Sequence, residues 1–120
     1  MTKKGKVLEV TFTPEAKVDR PSQVRVFGRN YIVNYPASYT GMKELGNIDH
    51  HSMVINILDH QLSIEEADTV LHEVLHAIEY TMDLELSEHQ IRTLATGLIG
   101  VFQDNPEFAK YITADKSNKV

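Results

Sequence analysis

Cysteine is absent from the 120 residues. That excludes disulfides and thiolate metal ligands, so any zinc held by this chain must use histidine and carboxylate. A basic surplus is missing as well. The 12 Lys and Arg stand against 17 Asp and Glu, a net charge of −5, which argues against a nucleic-acid partner. No apolar run approaches the ~20 residues needed to cross a bilayer, so no membrane partner is expected. Met1-Thr-Lys-Lys-Gly-Lys has the charge of a secretory leader, but Val7-Leu-Glu-Val-Thr-Phe-Thr alternates where a leader would be continuously apolar. A cytoplasmic location follows as the expectation. With 42% hydrophobic residues and no repeat or low-complexity segment, the chain reads as one globular domain over 1–115 with a polar tail over 116–120.

What the sequence does contain is concentrated in one stretch, Ser63 to Tyr80. Ala67, Val70, Leu71, Val74, Leu75 and Ile78 recur at three- and four-residue steps, the spacing of an amphipathic helix. Ser63 with Glu66 reads as a capping box, and Glu65, Glu66 and Asp68 place negative charge where the helix dipole favours it. Inside lies His72-Glu73-Val74-Leu75-His76, an H-E-x-x-H motif. Residues four apart stack on one helix face, so His72 and His76 can offer two imidazoles to one cation. Both fall roughly opposite the middle of the apolar stripe. Glu73, on the flank of that face, is placed to act as a base toward water at the metal.

The rest of the chain divides into strands before this helix and helices after it. Lys6 to Thr13 alternates and reads as a strand, followed by a connector with a helical turn after Pro14. Val24 to Phe27 and Tyr31 to Tyr35 read as a hairpin around Gly28-Arg29-Asn30. Leu45 to Asp49 and Ser52 to Leu58 read as two further strands. His50 and His51 between them are adjacent, point to opposite faces of extended backbone, and are assigned to turn and surface. His60 is read as a solvated loop residue. After the motif helix, Ser87 with Gln90 is a second capping box opening a helix with the stripe Ile91, Leu94, Ala95, Leu98, Ile99 and Phe102. Gly97 and Gly100 would let another element approach it closely. Pro106 opens a short third helix. The expected fold is α+β: a small, mostly antiparallel N-terminal sheet, then the H-E-x-x-H helix and a second helix packed with it on one sheet face.

A catalytic zinc takes three protein ligands and keeps a position for water. A third histidine six residues past His76 would fall at Met82, so that spacing is absent. Glu88 and His89, at the start of the next helix, are the downstream candidates, with Glu79, Asp83 and Glu85 nearer. Glu79 is better placed to orient a histidine by accepting its free N–H. Tyr80, one turn past His76, is placed either to reach an oxyanion or to pack.

His72-Glu-Val-Leu-His76-Ala-Ile, followed by Glu88-x-x-Ile-x-x-Leu-Ala-x-x-Leu, resembles the minimal gluzincin metallopeptidases of the ImmA/IrrE type, above all small stand-alone phage and prophage forms. Leu45-Gly46-x-x-Asp49, the run Met53 to Leu58 and the tail Val101 to Pro106 are similar too, and the resemblance spans roughly residues 44–112. It implies a zincin-like fold, Zn2+ held by His72, His76 and Glu88, and Glu73 as general base in hydrolysis of a peptide or protein substrate. The strand Leu45 to Asp49, if it forms a sheet edge, could pair with an extended peptide. The competing expectation is a zinc-stabilised phage-type interaction protein that cleaves nothing, its fourth metal position closed by His89 or by His50 or His51.

Overall fold

The computed structural model describes residues 19–37, 44–59 and 61–115. The fold is α+β: four strands, β1 (Gln23–Val26), β2 (Arg29–Asn34), β3 (Gly46–Asp49) and β4 (Val54–Ile57), precede α1 (Ser63–Thr81), α2 (Glu88–Asp104) and α3 (Pro106–Thr113). The strand expected over Lys6 to Thr13, the helical turn after Pro14 and His60 lie outside the described residues. Strand order is β1-β2-β4-β3. The pairs β1/β2 and β3/β4 are antiparallel, whereas β2 and β4 run parallel, so the sheet is mixed. Its edge strand β3 lies alongside α1, which also packs on β1 and β4.

Side-chain alternation sets the register of the first hairpin. Tyr31 and Val33 point into the core while Ile32 and Asn34 point out, and this pairs Val26 with Arg29. Only Phe27 and Gly28 remain for the turn, both at positive φ (49° and 85°), as a two-residue hairpin matched to strand twist requires. The loop is therefore shorter than the expected Gly28-Arg29-Asn30, and an exposed phenylalanine occupies a conformation usually left to Asn or Gly.

The core joins Val26, Tyr31, Val33, Ile55 and Ile57 of the sheet to Ala77 of α1, with Val70, Val74 and Ile78 packed against them. Each fully buried aliphatic of this kind contributes about 1.5–3 kcal/mol. The helix α1 has a sheet on one flank and α2 on another. His72 and His76 accordingly sit half-buried on the seam between the two, not on a face turned away from the core.

Two helix starts that look alike in sequence differ in structure. The Ser87–Gln90 box forms in full, each side chain bonding the other's backbone N–H. The Ser63–Glu66 box does not: Leu62 occupies the N-cap position without a side-chain bond. Glu66 is buried instead and holds Arg20, whose Nε and Nη2 donate to its two oxygens at 3.1 Å each. Gly97 and Gly100 have no close neighbour among the described residues, so the close approach expected there is not seen. The stripe on α2 is buried at Ile91 and Ala95, where it meets α1, while Leu94 is exposed.

Candidate metal centre

The turn after α1 decides which way α2 returns. Asp83 adopts the left-handed conformation (φ 57°), and Leu84 N–H reaches back to the Glu79 carbonyl at 2.9 Å. This is a Schellman-type stop with aspartate in the glycine position. It brings the first turn of α2 over the middle of α1. Glu88 then faces both histidines: Oε2 lies 2.7 Å from His72 Nε2, and Oε1 lies 3.1 Å from His76 Nε2.

These three side chains form a group whose candidate ligand atoms lie within 4.8 Å of one another. Ligand atoms of a tetrahedral zinc sit roughly 3.3 Å apart, given bonds of about 2.0–2.2 Å. The two histidine–glutamate separations, 2.7 and 3.1 Å, are shorter than that, so the Glu88 carboxylate must draw back from the imidazoles, most of all from His72, for two nitrogens and one oxygen to hold the ion. His89 is exposed and outside the group; its carbonyl accepts from Thr93 within α2.

Glu79 does for His76 what its spacing suggested. Its Oε1 is 3.1 Å from His76 Nδ1, and its Oε2 accepts from Leu86 N–H at 2.9 Å. One carboxylate thus ties the ring to the loop that delivers Glu88 and leaves Nε2 as the ligand atom. The Leu86 N–H, and then the His76 ring, hold the Glu79 carboxyl below its usual range.

Glu73 lies on the side of α1 that presses on β3, and only 4% of it is exposed. Close approach there depends on Gly46: a Cβ at that position would stand 2.8 Å from Thr69 Cγ2 and 3.2 Å from Glu73 Oε2. Burial raises the Glu73 carboxyl from 4.5 to about 7, opposed by His76 and reinforced by the charges of Glu88 and Glu44. Among the described residues it has no hydrogen-bond or ion-pair partner. His72, Glu73, His76 and Glu88 all line one cleft of about 710 Å³, with Leu45 and the β3 residues Gly46 to Ile48 along its rim and Arg92 and Thr96 of α2 opposite.

Several contributors escape sequence reading. His50 is in a turn, as expected, but its ring is half-buried, lines the same cleft and stacks on Tyr80 at 4.3 Å. His51 is exposed. The available signal was Asp49: its Oδ1 accepts from the N–H groups of His51 and Ser52 at 2.9 and 3.2 Å, an Asx turn that fixes where His50 sits. Arg20 carried no local signal, because its partners Asp59 and Glu66 lie 39 and 46 residues away.

No helix among the described residues is long and apolar enough to cross a membrane. Compared with protein-family models, curated proteins and solved structures, the chain matches none.

Proposed function

We propose that this chain is a zinc-dependent metallopeptidase of minimal gluzincin type, resembling the ImmA/IrrE group and its phage and prophage forms, and acting on a peptide or protein in the cytoplasm. One observation carries the reading. Two histidine nitrogens and a carboxylate converge in a cleft that also contains a buried carboxyl with no hydrogen-bond or ion-pair partner among the described residues. A purely structural ion site has no use for that fourth group.

His72, His76 and Glu88 would hold the ion, with Glu79 keeping His76 in the ligating tautomer. When bound, zinc supplies Lewis acidity, lowering the pKa of water toward ~7 and polarising the scissile carbonyl. Glu73 accepts the proton of the attacking water and passes it to the leaving amine. Among the described residues the rim strand β3 is a sheet edge, a position suited to pairing with an extended substrate.

Elemental analysis of purified wild type, Glu88→Ala and His89→Ala tests the site. About one zinc per chain is expected in wild type and His89→Ala, with loss in Glu88→Ala. Loss in His89→Ala alone, or no metal after reconstitution, would sink the reading. Zinc retained without cleavage of any peptide in a library would instead favour the silent interaction protein.

A further inference from the structure

The backbone and ring of His50 are held from four sides. Asp49 shapes its turn, and Arg29 Nη2 donates to its carbonyl at 2.7 Å. The Arg29 guanidinium itself lies over the rings of Tyr31 and Tyr80, at 5.7 and 5.4 Å. The imidazole is nearly parallel to Tyr80, at 3°, and meets Tyr31 edge-on at 89°. Tyr80 follows His76 by one turn on the same face of α1, so this stack sets His50 on the Tyr80 side of His76, in the cleft that His50 and His76 both line.

The protonation of that ring can be read from its neighbour. Tyr31 is fully buried, and its hydroxyl lies 3.2 Å from His50 Nδ1. A buried phenol proton left without an acceptor is costly, and Nδ1 is the acceptor that the described residues offer. Tyr31 therefore donates, Nδ1 accepts, and the neutral ring carries its proton on Nε2. Burial, and after it the charges of His76 and Arg29, push the His50 pKa down, in keeping with a neutral ring. With Nδ1 committed to the core, the Nε2–H is left for the cleft that His50 lines.

We propose that His50 donates its Nε2–H to the carbonyl oxygen of a bound peptide and stabilises the negative charge developing there, with Tyr31 as its positioning residue. This rests on the metallopeptidase reading. It differs from the use of His50 as a metal ligand, because a ligating Nε2 would have to be unprotonated.

The test compares zinc-loaded wild type, His50→Ala, His50→Gln and Tyr31→Phe. Side-chain ¹⁵N NMR of wild type should show His50 as the Nε2–H tautomer, and Tyr31→Phe should release it into a mixture. All variants should keep their zinc. On a peptide that wild type cleaves, His50→Ala should lower kcat by roughly 10²–10³-fold with KM little changed, and His50→Gln, whose amide can donate, should recover part of the loss. An Nδ1–H or doubly protonated ring in wild type overturns the proposal. So does zinc loss in His50→Ala, which would make His50 a ligand, or an unchanged kcat. Zinc-loaded wild type that cleaves nothing overturns the peptidase reading and the substrate role with it; the tautomer spectrum still reports on the Tyr31–His50 pair by itself.

Discussion

Two glutamates on α1, seven residues and about two turns apart, are both buried: Glu66 at 7% exposure and Glu73 at 4%. Their surroundings differ in one respect. Glu66 receives a two-pronged guanidinium from Arg20, which also bonds Asp59 at 3.0 Å and lies 3.8 Å over the Tyr35 ring. Glu73 receives no cation and no donor among the described residues, and lies against the Gly46 backbone instead. Helix and burial are shared, so the partner alone separates them. A carboxylate matched by a guanidinium fastens the helix to the segment before β1 and the loop after β4. One left unmatched beside two imidazoles is held in a state from which it can exchange a proton.

The contrast breaks most visibly in activity. Glu73→Gln keeps shape and burial but removes the base. Peptide hydrolysis should fall by roughly 10²–10⁴-fold, with zinc content unchanged by elemental analysis. Glu66→Gln should leave turnover close to wild type in the same assay. Equal losses in the two variants would mean that Glu73 acts through the fold.

Stability should show the reverse order. Arg20→Ala takes the guanidinium away from the buried Glu66 carboxylate and should cost about 3 kcal/mol in urea denaturation, toward the low end for a broken buried pair because Arg20 is partly solvated. Adding Glu66→Gln should restore much of that loss, since the buried charge that Arg20 matched is then gone. If the double variant is no more stable than Arg20→Ala, the pair is not what holds the N-terminal segment to α1.

The two glutamates also mark where sequence reading succeeds and where it stops. Period and spacing are local properties. They located α1, the Ser87 cap, the strands β1 to β4, the pair His72 and His76 on one helix face, and Glu88 among the downstream candidates, the one that α2 brings to that pair. Glu66 was assigned to a cap because Ser63 stands three residues before it, yet its partner is 46 residues upstream, and no local pattern carries that distance. A single apolar stripe puts the His pair on the face opposite the core, whereas α1 is packed on two flanks. Tyr31 reads as an ordinary core aromatic in a strand. Its hold on His50 exists only because β2 pairs with β4, bringing the turn after β3 beside it.

The smallest effect is the most direct measure of what leaving Glu73 unmatched costs. In the metal-free protein its carboxyl titrates near 7, against 4.5 when unperturbed. Below about pH 4.5 the group is protonated in folded and unfolded chains alike, and its burial takes no charge out of water. As pH rises from there, the unfolded chain ionises first and stability is lost, until the loss is complete above about 7; the limit is on the order of 3 kcal/mol. Glu73→Gln has nothing to ionise. Chelator-treated Glu73→Gln should therefore match wild type near about pH 4 and exceed it by roughly 1–3 kcal/mol near about pH 8, read as a widening gap in Tm. A gap that stays constant with pH would mean that Glu73 has found a partner when folded. A gap of this sign and size would show that the chain gives up stability at the one buried carboxylate its proposed chemistry requires to be free.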